Sequence, residues 1–385
     1  MKILITSDWY IPAINGVVTS IVNLRNGLQA RGHEVRVLTL SPSRRSYARD
    51  GVTYIGSLPA GFVYPHARLR IVRGKALIQE LIAWKPDIVH SNCEFSTFAI
   101  AKSIARAVDA PLVHTYHTVY EDYTNYFSPS KRLGKKIASG FSHHISEKTD
   151  CMVVPTGKVA GLLGRYRVTT PIRVVPTGIS LTRFTTTPDF SPEEIRRQYA
   201  IPAHNTVLVY VGRLAKEKNC AELIRAAARL RGEPFTLMLV GDGPIRGELE
   251  EASRELGMEK QILFVGMVPP AEVWRYYRSG DLFASASTSE TQGLTYLEAL
   301  ASGLPLLCRR DDCLLDVVEE GVNGWLYSTE DEFASCLRHF LADTERRGDY
   351  RENALASAQK FSIPVFAQKM EQLYLERLEA RAAAR

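Results

Sequence analysis

Short buried strands alternate with helices along the whole chain, and this pattern restricts the possible folds more than any other feature. In the first half, Val-, Ile- and Leu-rich runs typical of strands lie at Lys2–Thr6, Glu34–Leu40, Ile88–His90, Leu112–Tyr116 and Met152–Val154. Helical patterns separate them, at Val18–Ala30, Lys75–Ala83 and Ser96–Val108. Strands that are apolar on both faces and alternate with helices indicate a parallel sheet covered on both sides.

The second half repeats the pattern. Its strand-like runs lie at Thr206–Val211, Thr236–Val240, Ile262–Val265, Asp281–Ala286 and Leu304–Leu307. A chain of 385 residues is long for one core, so two cycles predict an α/β fold with two doubly wound, Rossmann-like domains. We place the domains at residues 1–183 and 184–362, with a seam in the Thr- and Pro-rich segment Thr177–Pro202. Residues 363–385 form a predicted helix that packs back towards the N-terminal domain. Ligands bind at the carboxyl ends of parallel strands, so we expect the two domains to face one interdomain cleft.

Charge is distributed unevenly. Residues Met1–Arg183 hold 24 Lys and Arg against 11 Asp and Glu, a net +13, whereas the remainder has a net −7. A basic half joined to an acidic half suggests that only the first half meets a polyanion. Nucleic acid and an anionic membrane surface both fit this observation, and charge alone does not choose between them.

The termini and the cysteines point to a cytoplasmic protein. The opening MKILITSDWY passes directly into a strand without the apolar core of a signal peptide, and no apolar run approaches the 18 residues of a membrane span. The six cysteines show no C-x-x-C pairing and no metal-site spacing. We therefore expect reduced thiols in a cytoplasmic protein.

The segment ASASTSETQGLTYLEA, residues 284–299, has a pattern suited to anion binding. The strand-like run Asp281–Ala286 leads into its two glutamates, and a helical pattern, Thr295–Ser302, follows, so that the first free N–H groups of the helix lie near Gly293. The free N–H groups at a helix start favour an anion. Glu290 and Glu298 then lie on either side of that anion, where each carboxylate could accept hydrogen bonds from hydroxyls. Taken singly, either glutamate could instead be a helix cap or a solvated residue.

Two further loops follow strands of the second half. In GRLAKEKN, residues 212–219, Arg213 and Lys218 flank a turn into a helix, so that their cations could converge on a diphosphate. Solvated surface charges are the alternative interpretation. The run GDGP begins at Gly241 and closes the next strand.

Two loops of the first half also come after predicted strands. Asn15-Gly16-Val17 lies between the first strand and the first helix, where a glycine lets backbone N–H groups approach a phosphate. An ordinary turn fits equally well. The segment HTYHTVYEDY, residues 114–123, ends a strand and is polar and acidic where a crossover is normally apolar.

A basic helical pattern follows, KRLGKKIASGF, residues 131–141. Leu133, Ile137 and Phe141 share one face, and the four cations Lys131, Arg132, Lys135 and Lys136 fan around the other. That arrangement is typical of a helix lying on anionic lipid. A surface helix whose apolar face meets the core is the alternative, and Gly134 weakens the helix prediction.

SETQGLTYLEA resembles the E-x7-E signature of retaining glycosyltransferases of family 4, in the form found in bacterial diacylglycerol glucosyltransferases. GRLAKEKN, GDGP and HTYHTVYEDY resemble other elements of that family, although its first loop usually has two glycines where this chain has Asn15-Gly16. The resemblance covers essentially the whole chain and implies the GT-B architecture. It also implies a UDP-hexose donor, most often UDP-glucose, and 1,2-diacylglycerol as acceptor, with retention at the anomeric carbon. The partners are then a lipid and the anionic inner face of the cell membrane, and not nucleic acid.

By the same resemblance, individual residues acquire roles. Glu290 holds the donor sugar, Glu298 holds the ribose, and His117 contacts the transferred sugar. The other implied contacts are Gly16, Gly241, Gln292, Gly293, Leu294 and Thr295 for the nucleotide sugar, and Tyr120, Glu121 and Asp122 for the acceptor.

We expect no metal cofactor. The chain contains no D-x-D sequence, the pair that holds a divalent metal in sugar transferases of the other main architecture. Arg213, Lys218 and helix N-termini must then neutralise the leaving diphosphate.

Three alternatives stay open. The acceptor could be another lipid, such as phosphatidylinositol or an already glycosylated diacylglycerol. It could also be a soluble metabolite. An epimerase of the same architecture would turn over the UDP-sugar without any acceptor.

Overall fold

The structure is a computed structural model that describes residues 1–13, 15–60, 68–71, 74–121, 130–185 and 190–383. It divides into two compact units. Unit 1 comprises Met1–Gly178 together with Ile363–Arg385, and unit 2 comprises Ile179–Ser362.

Within its described residues, unit 1 contains an eight-stranded sheet and a separate two-stranded hairpin. The strands are β1 (Lys2–Ser7), β2 (Glu34–Leu40), β3 (Tyr47–Arg49), β4 (Val52–Ile55), β5 (Ser57–Pro59), β6 (Arg68–Arg70), β7 (Ile88–Ser91), β8 (Leu112–Thr115), β9 (Cys151–Val154) and β10 (Ile172–Val174). The helices are α1 (Gly16–Ala30), α2 (Lys75–Trp84), α3 (Ser96–Val108), α4 (Lys131–Ser146) and α5 (Gly157–Arg165). The large sheet has the order β10-β9-β8-β7-β1-β2-β4-β3, and only β3 runs antiparallel to its neighbour. Strand order therefore reverses between β1 and β7.

Unit 2 contains a six-stranded parallel sheet in its described part. The strands are β11 (Thr206–Val211), β12 (Phe235–Val240), β13 (Ile262–Gly266), β14 (Leu282–Ser285), β15 (Leu306–Arg309) and β16 (Gly324–Tyr327). The helices are α6 (Thr182–Thr185), α7 (Pro192–Gln198), α8 (Cys220–Ala228), α9 (Arg246–Glu255), α10 (Val273–Arg278), α11 (Leu294–Ala301), α12 (Glu330–Ala342) and α13 (Arg347–Ala358). The order β13-β12-β11-β14-β15-β16 is that of a dinucleotide-binding fold, and it reverses between β11 and β14.

Both faces of the unit 2 sheet are covered, as the apolar strands predict. In β11, Leu208 and Tyr210 join one buried cluster, and Val207 and Val209 join another. Side chains alternate along a strand, so the two clusters lie on opposite faces of the sheet. The two doubly wound sheets confirm the predicted α/β fold.

The last helix, α14 (Ile363–Ala383), belongs to unit 1. Its buried residues Phe366, Met370 and Tyr374 join the core cluster around α1 and β1. The Tyr374 hydroxyl lies 2.7 Å from Nδ1 of His90 in β7. Helix α14 is therefore an integral part of the unit 1 core.

Several predicted bounds differ from the observed ones, and six strands were not predicted. Strand β15 begins and ends two residues later than predicted, at Leu306–Arg309 instead of Leu304–Leu307. The predicted helix start at Thr295 moves to Leu294. The strands that were missed are β3, β4, β5, β6, β10 and β16, each of three or four residues. Such short runs show too little alternation to be recognised.

Candidate functional site

In unit 2, the candidate residues lie where strand order reverses. The loop that carries Lys218 follows β11, and the loop that carries Glu290 follows β14. These neighbouring parallel strands end at the same edge of the sheet. In a doubly wound sheet this point forms the ligand crevice.

Lys218 and Glu290 are in direct contact. The Lys218 ammonium lies 2.5 Å from Oε1 of Glu290, and both side chains are largely buried. Ser287 also donates a hydrogen bond to Oε1, over 3.0 Å. The sequence placed Lys218 on a diphosphate and Glu290 on a sugar, but did not predict that the two side chains bind each other.

Gly293 sets the start of helix α11. Its φ of 73° is left-handed, a region that other residues rarely adopt. A Cβ at this position would lie 2.3 Å from the Tyr296 ring. The backbone therefore turns into the helix at Gly293, three residues after Glu290, so the first N–H groups of the helix, at Leu294 and Thr295, follow that loop directly. Gln292 is buried next to this turn.

Glu298 is neither a helix cap nor a solvated residue. It lies in the second turn of α11 and accepts a 2.9 Å hydrogen bond from the Tyr277 hydroxyl. Burial raises the pKa of Glu298 to about 6, against the lowering influence of Tyr277 and the Arg183 charge. The carboxylate is therefore costly to ionise unless a further donor reaches it.

Gly241 has a clear architectural role. A Cβ there would lie 1.9 Å from the Gly212 carbonyl oxygen. The turns that follow β11 and β12 thus pack backbone against backbone, and the Arg213 side chain next to Gly212 is exposed. A nucleotide contact by Gly241 or Arg213 stays a prediction.

Unit 1 places a second polar cluster at its own strand reversal. Asp8 follows β1, and its carboxylate accepts hydrogen bonds from the backbone N–H groups of Ser96 and Thr97 at the start of α3. Asn92 and Glu94 follow the neighbouring strand β7. Burial raises the pKa of Asp8, which the Thr97 hydrogen bonds oppose.

His117 is held by Asn92. Its Nε2 lies 2.9 Å from the Asn92 amide oxygen, which can only accept, so Nε2 carries the hydrogen. Burial lowers the pKa of His117 to about 4, despite the opposing charge of Glu94. At neutral pH the imidazole is therefore uncharged, and Nδ1 is a hydrogen-bond acceptor.

Glu94 connects this cluster to the predicted acceptor residues. The Tyr120 hydroxyl donates to its carboxylate over 2.7 Å, and Nε2 of His114 lies 3.3 Å away. Burial would raise the pKa of Glu94, but the hydrogen bonds from His114 and Tyr120 and the electrostatic influence of His114 oppose it, and the pKa is lowered overall. Glu94 is therefore a buried anion.

The loop after β1 begins helix α1 in the ordinary way. The side chain of Asn15 accepts a 2.9 Å hydrogen bond from the Val18 N–H, and its φ of −161° is extended. Asn15 is thus an N-cap, a position at which asparagine is as good as any residue. Gly16 is exposed as the first residue of the helix, where a phosphate contact stays a prediction.

Helix α4 turns part of its apolar face outwards: Phe141 packs against a buried cluster of unit 1, but Leu133 and Ile137 do not lie in the core. The small residues Gly134, Ala138 and Ser142 are buried, whereas Leu133 and Ile137 are 50% and 47% exposed. Arg132, Lys135 and Lys136 are exposed beside them. Lys135 also forms a 2.9 Å ion pair with Glu121, which joins a predicted membrane residue to a predicted acceptor residue.

Some predictions cannot be compared with the structure. Asp122 and the side chain of Lys131 lie outside the described residues. Among the residues that are described, no three His, Cys, Asp or Glu side chains converge as a metal site would require. The same residues include no helix that is long and apolar enough to cross a membrane.

Four residues of these clusters were not identified from the sequence: Asp8, Asn92, Glu94 and Tyr277. For the first three a signal exists, because SD and SNCE follow buried strands directly. Polar residues at that position meet at one sheet edge. Tyr277 gives no comparable signal, since it lies within a helix and meets Glu298 only through tertiary packing.

Comparison with known families matches both units. The family described as "Glycosyltransferase Family 4" matches residues 14–183, and "Glycosyl transferases group 1" matches residues 191–356. The alpha-monoglucosyldiacylglycerol synthase of Acholeplasma laidlawii is 33% identical, over 98% of each chain. The synthase of the same name from Streptococcus pneumoniae is also 33% identical, over 98% of this chain and 86% of its own.

The chain is also similar to a glycosyltransferase of another name and to a solved structure. A D-inositol 3-phosphate glycosyltransferase from Corynebacterium jeikeium is 31% identical, over 75% of this chain and 72% of its own. Among solved structures, Anabaena Alr3699/HepE in complex with UDP has a TM-score of 0.75 at 19% identity, over 98% of this chain and 100% of that one. The structural likeness concerns the fold.

Proposed function

The chain belongs to family 4 of the glycosyltransferases, with the GT-B architecture, and from this premise we propose that it transfers glucose from UDP-glucose to 1,2-diacylglycerol. The product is an α-monoglucosyl diacylglycerol, formed with retention at the anomeric carbon. The similarity to two relatives named as alpha-monoglucosyldiacylglycerol synthases, over 98% of the chain, is the observation that carries the proposal.

On the donor side, each residue has a distinct task. Lys218, Arg213 and the N–H groups at the start of α11 neutralise the diphosphate, whose charge grows as the glycosidic bond breaks. Glu290 accepts hydrogen bonds from the glucose hydroxyls, and Lys218 holds its carboxylate in place. Glu298 binds the ribose hydroxyls, which supply the donors that its buried carboxylate needs. No metal takes part in this proposal.

On the acceptor side, we favour attack from the face that the diphosphate leaves. The acceptor oxygen bonds to the anomeric carbon while the departing diphosphate takes the acceptor proton, so that no enzyme carboxylate need act as nucleophile. His117 presents a neutral imidazole whose Nδ1 accepts a hydrogen bond from the transferred sugar. Asn92 fixes the tautomer that this requires.

The acceptor is insoluble in water, so the enzyme must reach a bilayer. Helix α4 suits this task because it exposes both cations and apolar side chains. We place the protein on the cytoplasmic face of the cell membrane, as a peripheral protein held by anionic lipid.

A soluble acceptor is the main rival, and the relative named as a D-inositol 3-phosphate glycosyltransferase favours it. The test is a donor-by-acceptor screen in mixed micelles, with and without anionic phospholipid. We expect labelled glucose to appear in diacylglycerol, and anionic lipid to raise the rate. Transfer to inositol phosphate alone, or epimerised UDP-sugar without any acceptor, would overturn the proposal.

A further inference from the structure

A continuous aromatic and aliphatic strip connects the polar cluster of unit 1 to the protein surface. It begins at Tyr120, whose hydroxyl is bound to Glu94 and whose ring packs edge-on against Phe141, with centroids 5.6 Å apart. Phe141 in turn stacks on Phe95, with centroids 5.7 Å apart. Because Glu94 and Phe95 are adjacent in sequence, one short segment after β7 supplies both the buried carboxylate and the outermost ring.

Helix α4 extends the strip. Leu133 and Ile137 precede Phe141 by eight and four residues, so the three side chains lie along one face. Phe95, Leu133 and Ile137 are each about half exposed, at 55%, 50% and 47%. Three large apolar side chains that share one surface, with an aromatic ring stacked behind them, mark a contact site.

The packing of α4 explains why Leu133 and Ile137 face outwards. Its buried side carries Gly134, Ala138 and Ser142, and the Ser142 hydroxyl lies 2.8 Å from that of Tyr116. Small residues let the helix approach the domain closely, and the larger apolar residues of the next face then remain outside. Their exposure is thus a consequence of how the helix is docked.

We propose that the strip of Phe95, Leu133, Ile137 and Phe141 binds an acyl chain of the acceptor lipid and leads its headgroup to Tyr120. This inference rests on the proposed function and adds an acceptor subsite to it. Charge favours a lipid over a protein partner, because Arg132 and Lys136 are exposed beside the strip and suit an anionic bilayer. The polar end of the strip, at Tyr120, fits a small headgroup that carries a hydroxyl, and the apolar side chains fit the acyl tails.

The test separates acyl binding from general membrane attachment. In mixed micelles, the bulk lipid concentration governs attachment, whereas the mole fraction of diacylglycerol governs binding of the acceptor at the surface. Phe95→Ser and Ile137→Ser should each raise the half-saturating mole fraction of 1,2-dioleoylglycerol by about tenfold, since each removes apolar contact area. The KM for UDP-glucose should not change.

Two controls complete the experiment. Met267→Ser alters a side chain of unit 2 that is 77% exposed, and should leave both lipid constants unchanged. With water-soluble 1,2-dibutyrylglycerol, whose chains are too short to fill the strip, Phe95→Ser should change the rate less than about twofold. Thermal unfolding should match the wild type for Ile137→Ser and Met267→Ser, whose side chains are exposed, and should occur at a slightly lower temperature for Phe95→Ser, which loses its stacking on Phe141.

The outcomes are distinct. If Phe95→Ser and Ile137→Ser behave like Met267→Ser, or change only the dependence on bulk lipid, the strip is not an acyl subsite, and the proposed function stands. If the wild type glucosylates no diacylglycerol at all, the proposed function fails and the subsite fails with it.

Discussion

Lys218 and Glu290 are 72 residues apart in sequence, yet their side chains share a hydrogen bond. The fold joins them because β11 and β14, which precede them, are neighbours at the strand reversal. In the proposed function, the Glu290 carboxylate offsets the charge of Lys218 until the donor diphosphate binds. The two residues are therefore coupled, although they are assigned to different parts of the donor.

This coupling predicts a non-additive effect on UDP binding. Glu290→Ala should reduce transfer by about 10²–10³, since it removes a hydrogen bond to a charged group. It should not weaken UDP binding, because Lys218 gains freedom to meet the diphosphate. Lys218→Ala should weaken UDP binding strongly, since it removes a cation from the diphosphate and leaves the Glu290 charge, no longer offset by the lysine, facing the anion.

The double variant should recover part of the UDP affinity lost in Lys218→Ala, with a coupling of about 1–3 kcal/mol. Isothermal titration of UDP into the wild type, the two single variants and the double variant gives the four binding constants from which this coupling is calculated. Strictly additive losses would show that the two side chains act independently.

The raised pKa of Glu298 predicts that donor binding depends on pH. Its pKa is raised to about 6 by burial, and the ionised form is the better acceptor for ribose hydroxyls. Affinity for UDP-glucose, whose phosphates keep their charge across this range, should fall as the pH drops from 7 to 5. Because its folded pKa is raised, Glu298 itself stabilises the fold only at low pH, and that contribution is lost as the pH rises through about 6.

The measurement is the dissociation constant of UDP-glucose at several pH values for the wild type and for Glu298→Gln, which cannot ionise. The variant should bind more weakly at pH 7 and lack the step near pH 6. An identical pH profile in both proteins would exclude Glu298 as its source.

At the scale of single elements, helix α4 is predicted to be the membrane contact. Each basic residue near anionic lipid contributes about 1 kcal/mol, which salt screens. Changing Lys131, Arg132, Lys135 and Lys136 together to Ser should therefore weaken binding to anionic vesicles by up to about 3–4 kcal/mol at low salt. UDP-glucose affinity should stay the same.

A matched control removes four exposed cations of unit 2: Arg229, Arg231, Arg254 and Lys260. Co-sedimentation with anionic vesicles at two ionic strengths compares the two variants with the wild type. Equal losses in both would mean that net charge, and not helix α4, determines attachment.

The contact between α1 and α14 depends on Gly27. A Cβ at Gly27 would lie 2.7 Å from that of Ala367. Gly27→Val should therefore force the helices apart and lower the free energy of unfolding by about 1–3 kcal/mol. Gly140→Ala is the control, since nothing lies within 4 Å of the added atom, and alanine in a helix should stabilise by about 0.5–1 kcal/mol.

Chemical denaturation of the three proteins provides these values. Equal stability of Gly27→Val and the wild type would show that α14 can move away from α1 at no cost, contrary to its packing here.

At the scale of the whole molecule, the fold was predictable because it depends on local periodicity. Apolar strands such as Thr206–Val211 and helices such as Ser96–Val108 can be identified without knowing their partners. Glu290 and Lys218 were identified from the motifs around them. Their mutual contact, and the Tyr277–Glu298 hydrogen bond, follow from strand order and helix packing, which no single segment specifies.

The orientation of helix α4 could not be predicted from its own segment either. A helical wheel groups Leu133, Ile137 and Phe141, but does not indicate whether that face meets the core. The alternative face, with Gly134, Ala138 and Ser142, is buried because small residues permit close approach. That choice depends on the surface beneath the helix, which lies elsewhere in the sequence.

The difference in net charge between the two halves of the sequence is also found between the two structural units. Unit 1 with its C-terminal helix has 27 basic and 14 acidic residues, a net +13, and unit 2 has a net −7. If unit 1 binds the acceptor and unit 2 the donor, as proposed, this asymmetry would orient the enzyme on an anionic bilayer with unit 1 towards the lipid.

The proposed function requires that this enzyme make an α-glucoside of diacylglycerol without a metal ion. The NMR spectrum of the lipid formed from UDP-glucose, carbon-13 labelled in the sugar, and 1,2-dioleoylglycerol in anionic micelles containing EDTA tests both points. We predict a single glucosyl diacylglycerol whose anomeric proton has the small coupling constant of an α-linkage. A β-linked product, a product that forms only when Mg²⁺ or Mn²⁺ is restored, or label that never enters the lipid would contradict it.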